Sequence, residues 1–212
     1  MLNKTKGITE IGGSYYSVRG KPSLLETIKN VADSIDGLKF SGGSFALMSY
    51  ENVKHLVETL HQNNIYVSTG GWIERVLRGD ADIVERYLKE VKNLGFDVLE
   101  LSLRATCLPL EDLLWLIEKV NKLGIKPRPE LELDPGVEEL IQDAKLCIGS
   151  GAPIILVNAD DCKSEDLIQI INEIGIEKVM FKALDSYPFE IRFHQYRNEM
   201  NVLLDQSQFE KS

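Results

Sequence analysis

The chain has 212 residues, 43% of them hydrophobic and 27% charged, which is the composition of an ordinary globular domain and long enough for one α/β unit. Its formal net charge of -9 repels phosphate backbones, so neither nucleic acid nor an anionic membrane surface is expected as a partner. No apolar run approaches the length of a membrane span, and Met1-Leu-Asn-Lys-Thr-Lys6 leads into no apolar core, so neither a span nor a signal peptide is expected. Cys107, Cys147 and Cys162 are scattered, which fits a reducing, cytoplasmic compartment better than a disulfide framework. His55, His61 and His194 are dispersed as well, so a zinc site is not expected.

Taken in order, Ile8–Val18 reads as a first strand with an irregular, glycine-containing course. Pro22 and Ser23 open a helix whose apolar positions Leu24, Leu25, Ile28, Val31, Ala32 and Ile35 recur near helical period. Leu38-Lys39-Phe40 is a short strand, followed at once by the small-residue turn Ser41-Gly42-Gly43-Ser44. A helix over Asn52–Asn63 precedes a strand over Ile65–Thr69, which Gly70-Gly71 ends. Asp82–Leu94 is helical, with Gly95 as a left-handed cap, and Asp97–Leu103 alternates as a strand. Pro109–Leu123 is a helix stopped by Gly124. Ile125–Leu133 is a weaker strand, because Pro127 and Pro129 remove two amide donors. Asp134 is placed to cap a helix that begins at Pro135 and runs to about Ile148. Ile154–Val157 is the purest strand, Ser164–Ile174 a helix capped by Ser164, and Lys178–Ala183 a strand. Tyr187–Tyr196 is helical in pattern, and Asn201–Leu204 is a final strand.

Strand and helix thus alternate seven times before a last strand, with short connections and no composition break. That periodicity predicts a parallel sheet, and eight strands without a reversal predict a single (β/α)8 barrel domain over residues 1–212. The eighth helix is missing or vestigial, so something else must cover the last strand, and a second copy of the chain in a homo-oligomer is one candidate. In such a barrel alternate side chains face the axis, and the site forms at the C-terminal ends of the strands. Lys39, between the two apolar residues Leu38 and Phe40, then points inward beneath a turn of bare amides, which suits a small anionic or phosphorylated ligand.

The polar residues expected at that mouth are Lys39 and Ser41; Thr69, Gly70, Gly71 and Glu74; Glu100, Ser102 and Arg104; Arg128, Glu130 and Glu132; Asn158, Asp160 and Asp161; Lys182 and Asp185; and Asn201 and Asp205. Two lysines and several carboxylates at one place suit an anionic substrate and a divalent metal. Other readings stand beside this one. Glu100 needs a buried partner, and Lys39 or Lys182 in a structural ion pair would serve. Asp160-Asp161 could begin a loop, Glu130 and Glu132 could be solvated, and Glu74 and Arg75 read as surface charges. Trp72 is either a substrate wall or a packing residue, and Phe181 reads as core. No P-loop or Gly-x-Gly-x-x-Gly motif is present.

Several segments, in order, resemble one family. They are Asp36-Gly-Leu-Lys-Phe-Ser-Gly-Gly-Ser44, Tyr66-Val-Ser-Thr-Gly70 with Trp72, Leu94-Gly-Phe-Asp97 with Leu99-Glu-Leu101, and Ser150-Gly-Ala152. Asn158-Ala-Asp-Asp-Cys-Lys163, Ile174-Gly-Ile-Glu-Lys-Val-Met-Phe181, Asn201-Val-Leu203 and Asp205-Gln-Ser-Gln208 complete the set. The family is that of the phosphosulfolactate synthases and their plant heat-stress-associated relatives, and the plant branch is the more similar. The resemblance implies a barrel lyase that adds sulfite to phosphoenolpyruvate with Mg2+. It implies Lys39 and Glu100 as catalytic residues and Gly42, Gly43, Gly70 and Gly71 as turns that let backbone approach a phosphate, while Ser41, Arg104 and Lys182 are expected as substrate contacts from their place at the mouth. It also implies Glu100, Glu130 and Asp160 as metal ligands. The chain departs from the synthases at Asn158 and Lys182, where they carry glutamates, at Leu103-Arg104, and over Tyr196–Met200. Lys182 puts a cation where the synthases have an anion, which weakens a neighbouring metal site. The alternative is a non-catalytic, stress-associated protein on the same scaffold, and a third reading is an oligomeric scaffold for partners.

Overall fold

The structure, a computed structural model, describes residues 7–13, 35–102, 108–134, 136–158, 162–183 and 201–205. Eight parallel strands close into a barrel in chain order. They are β1 (Thr9–Gly13), β2 (Gly37–Phe40), β3 (Tyr66–Ser68), β4 (Val98–Leu101), β5 (Lys126–Leu131), β6 (Ile155–Asn158), β7 (Val179–Ala183) and β8 (Asn201–Asp205). The ring is completed by β8 pairing with β1, Glu10 opposite Leu203. The described helices are α1 (Tyr50–Gln62), α2 (Ile73–Val76), α3 (Ala81–Leu94), α4 (Leu110–Lys122), α5 (Val137–Gly149) and α6 (Ser164–Ile174). The expected helix beginning at Pro22, the helix Tyr187–Tyr196 and the chain beyond β8 lie outside the described residues.

Strand alternation sorts the side chains into two interiors. Leu38, Phe40, Val67, Leu99, Leu101, Val157 and Phe181 face outward and are buried under the apolar stripes of the helices. Val53, Leu56, Val57 and Leu60 of α1 and Leu113, Leu116, Ile117 and Val120 of α4 make two of those stripes. Each such side chain contributes roughly 1.5–3 kcal/mol by leaving water. Leu156 and Met180 face the other way and form a small separate cluster with Ile8 and Ile154. Most of the rest of the described interior is polar, although barrels of this kind are commonly filled with branched apolar side chains.

The capping chemistry departs from expectation at three helices. Ser49 caps α1, accepting the Asn52 N–H at 3.4 Å, so α1 begins two residues before Asn52. Ser164 is the first residue of α6 rather than its cap, because the Asp166 carboxylate accepts the Lys163 N–H at 2.9 Å and puts Lys163 in the cap position. Gly136, not Asp134, holds the cap position of α5, since the chain stays extended there at φ 177°. Gly95 ends α3 in the left-handed conformation, φ 90°, as its position predicts.

β5 is a full six-residue strand in spite of its prolines. Residues of one parity in a parallel strand present their N–H groups to the same neighbour. The Lys126 N–H goes to Asp97 O at 2.9 Å, on the β4 side, so Arg128 and Glu130 also donate toward β4. Pro127 and Pro129 therefore lack only the donors that would face β6, and registered pairing with β6 starts at Glu130, opposite Leu156. The same parity turns both prolines outward and leaves Arg128 and Glu130 on the axis.

Aspartates fasten the feet of two strands. The Asp36 carboxylate accepts the Thr9 N–H at 2.9 Å, and the Asp97 carboxylate accepts the Val67 N–H at 2.8 Å. In both cases a residue just ahead of a strand grips the strand before it. His61 Nε2 lies 2.8 Å from the same Asp97 oxygen.

Candidate functional site

Three described carboxylates and three described cations meet inside the barrel. Glu10, Lys39, Glu100, Arg128 and Glu130 are all buried, and Lys182 is partly exposed. Arg128 grips Glu10 with both arms of its guanidinium, Nη1 to Oε2 at 2.9 Å and Nη2 to Oε1 at 2.7 Å. The same Nη2 lies 3.1 Å from Glu100 Oε2, and Lys39 Nζ is 2.7 Å from that oxygen. Ser68 links the group from the side, accepting from Arg128 at 3.1 Å and donating to Glu10 at 3.2 Å. Lys182 Nζ lies 3.2 Å from Glu130 Oε1, with side-chain exposures of 23% and 2%. The lysine tip is thus nearer solvent than the carboxylate it neutralises.

These contacts set the protonation states. Burial pushes the Glu100 carboxyl up, but the charges of Lys39 and Arg128 and the Lys39 hydrogen bond outweigh it and hold Glu100 below the ordinary carboxylate value. Lys182 acts on Glu100 in the same sense, so the two lysines share one field. Burial would favour a neutral Arg128, but Glu10 keeps the guanidinium charged. Burial and the charge of Glu10 together raise the Tyr66 phenol well above its usual value. Two ion pairs and a bridging arginine make this interior neutral, so its groups are neither free bases nor free acids.

The turn above Lys39 is set by packing. Phe45 anchors its far end, with its ring 6.1 Å from Phe40 and 5.0 Å from Phe96. Gly42 and Gly43 take left-handed φ of 60° and 69°. A Cβ on Gly43 would lie 2.1 Å from the Trp72 ring, and one on Gly70 would lie 2.5 Å from Phe40 O. One on Gly71 would meet Ser102 Cβ at 3.0 Å, whereas Gly42 faces open space. Of the four glycines expected to admit a phosphate, three are thus held by neighbours in the protein itself. Ser44 Oγ is buried without a hydrogen-bond partner among the described residues.

The structure brings Lys39, Glu100, Glu130 and Lys182 together as expected of one mouth, with Ser41 and Gly42 at its rim. Arg104, Asp160, Asp161 and Asp185 lie outside the described residues. Glu130 is buried against Lys182 and not solvated. Glu74, expected as a surface charge, accepts a hydrogen bond from Ser102 Oγ at 3.0 Å. Trp72 packs over Gly43 with the Arg75 guanidinium 5.0 Å from its ring centre, which makes it a packing residue. Sequence reasoning missed Glu10. Its signal was the one that marked Lys39, a single charge inside an apolar strand, but the neighbouring glycines obscured the strand.

Glu100 and Glu130 do not fit the role of Mg2+ ligands as they stand. Mg2+ demands near-ideal octahedral oxygen coordination at about 2.0–2.1 Å. Here Glu100 Oε2 is shared by two cations, and Glu130 carries a third. No group of three or more His, Cys, Asp or Glu able to hold a metal ion occurs among the described residues.

Fold and site define a (β/α)-barrel protein with charged residues gathered at the C-terminal ends of its strands. The chain belongs to the (2R)-phospho-3-sulfolactate synthase (ComA) family, whose model matches residues 2–209. It is 32% identical over 236 aligned residues to Protein HEAT-STRESS-ASSOCIATED 32 of Arabidopsis thaliana, covering 95% of this chain and 82% of that protein. It is 26% identical over 163 residues to the phosphosulfolactate synthase of Methanothermobacter thermautotrophicus, covering 74% of this chain and 62% of the synthase. Among solved structures it resembles phosphonopyruvate hydrolase in complex with oxalate and Mg2+, with TM-score 0.66, 12% identity, and 96% and 76% of the two chains covered. At that identity the likeness speaks for the fold alone.

Proposed function

We propose that the barrel mouth binds a small phosphorylated carboxylic acid and that its reaction is the addition of sulfite to phosphoenolpyruvate. The observation that carries this reading is the Lys39 ammonium, buried on the axis 2.7 Å from Glu100, directly before the Ser41–Ser44 turn. A buried cation with bare amides beside it suits a phosphate or a carboxylate. The orphaned Ser44 hydroxyl is one more donor near the same turn. Membership of the synthase family supports the choice of substrate.

In this reading Lys39 neutralises the substrate carboxylate or donates a proton as the new carbon–sulfur bond forms. Glu100 holds Lys39 in place, and Arg128 keeps Glu100 charged. Thr69 Oγ1, accepting the Glu100 N–H at 3.2 Å, fixes the strand end that carries the pair. A second reading is favoured by a specific observation: each described cation at the mouth already has a carboxylate partner. That suits a protein that keeps the scaffold without the reaction, acting in stress as the name of its plant relative suggests.

Incubation of the pure protein with phosphoenolpyruvate, sulfite and Mg2+ separates the two. Phosphosulfolactate detected by mass spectrometry supports the enzyme. No product, together with no change in melting temperature on adding phosphoenolpyruvate, supports the second reading. In the first case Lys39→Ala leaves the fold and abolishes the shift; an unchanged shift removes Lys39 from the site.

A further inference from the structure

We propose that Lys182 takes the place of a divalent cation at the barrel mouth, so that the anion is held by two built-in ammonium groups, Lys39 and Lys182, without a metal. This rests on the reading of the mouth as an anion site.

Two carboxylates at the mouth, Glu100 and Glu130, are each matched by a lysine of the same chain. Lys39 lies against Glu100 at 2.7 Å and Lys182 against Glu130 at 3.2 Å. An ammonium within hydrogen-bond reach of a carboxylate fills the space a metal needs beside that oxygen. It also repels an incoming dication, and does so more strongly in the half-dry mouth than in bulk water. Lys182 is suited to hand its charge over to a ligand. It sits on a flexible stem, its side chain is 23% exposed, and it stands one residue before Ala183, which ends β7 at the C-terminal edge of the sheet. Asn158 stands opposite it in the β6–β7 register and carries no charge, so that pair of strand ends offers one cation and no anion. Glu130, left behind on the axis, holds the lysine ready between ligands.

The same sites have a simpler use as structural ion pairs, and the two uses differ in whether phosphoenolpyruvate needs Lys182 to bind. Two measurements on the full chain decide. The first is a Mn2+ titration of the ligand-free protein, read by electron paramagnetic resonance of the free ion. Wild type is expected to show no saturable uptake at millimolar Mn2+. Lys182→Glu, which sets a third carboxylate beside Glu130 and Glu100, is expected to bind Mn2+ at least roughly tenfold more tightly. Lys182→Gln, which adds no anion, is the second variant should Lys182→Glu fail to fold. It is expected to take up no metal. The second measurement is the melting-temperature shift given by phosphoenolpyruvate in EDTA and in Mg2+, expected to be equal in wild type and lost in Lys182→Gln.

Saturable Mn2+ uptake by wild type that Glu130→Gln abolishes overturns the proposal, as does a phosphoenolpyruvate shift present in Mg2+ and absent in EDTA. A phosphoenolpyruvate shift that survives in Lys182→Gln overturns it too. No shift in either medium strikes instead at the anion site itself, and the Mn2+ titration of the free protein still decides whether Lys182 has replaced a metal.

Discussion

Arg128 is the residue on which the interior depends. It holds Glu10 in a two-armed grip and reaches Glu100 as well. Arg128→Met leaves Glu10 buried with no cation, since Ser68 offers it only a hydroxyl. Removing one partner of a buried pair costs about 3–5 kcal/mol. Urea unfolding should show that loss, with the melting temperature falling by roughly 2–4 °C per kcal/mol for a chain of this size. Adding Glu10→Gln to Arg128→Met should recover part of it, because the unpaired charge goes too. Lys39→Met should cost less, for Glu100 keeps Arg128 at 3.1 Å.

At the level of the elements, glycines hold the second and third strands in contact with the turn between them. Gly70→Ala meets both a left-handed φ of 66° and the carbonyl of Phe40, whereas Gly42→Ala meets only the strained φ of 60°. The second change should cost about 1–2 kcal/mol and the first clearly more, as chemical unfolding of the pair would show. The described strands and the long described helices were legible in the sequence because their apolar periods are clean, and eight strands without a reversal left few ways to close. Lys39 and Glu100 were legible as inward charges because each stands alone in an apolar strand. Their partners were not legible. Arg128 and Glu10 are 118 positions apart, and nothing local says that the two meet on the axis. Ser164 is not the cap for a related reason: the Asp166 carboxylate reaches back to the Lys163 N–H and moves the cap one residue earlier, which spacing alone does not show. The role of Gly43 was hidden as well, since only the fold puts Trp72 on top of it.

Across the whole molecule, charge is divided unevenly. The formal net charge is -9, yet the described axis balances Glu10, Glu100 and Glu130 against Lys39, Arg128 and Lys182. An acidic exterior slows the approach of an anion and makes the lysines at the mouth the local exception. The balance also fails in acid. Glu100 titrates below its ordinary value of 4.5 in the folded state, so the unfolded chain takes up that proton first. Its contribution is complete above about pH 4.5 and declines as pH falls through the folded value. Melting temperatures measured from pH 6 down to pH 3 should therefore drop, and Glu100→Gln should flatten that part of the profile. The prolines of β5 have an effect on the same scale. Between the fifth and sixth staves of this ring the lower rungs have lost their donors to Pro127 and Pro129, and only the third and fourth staves share fewer registered pairs. Deuterium should enter at that seam before it enters between the sixth and seventh, where four rungs run unbroken from Ile155 to Asn158. The first registered pair across that seam is Glu130 opposite Leu156, so the residue whose carboxylate tethers Lys182 also stands where the fifth stave first joins the sixth.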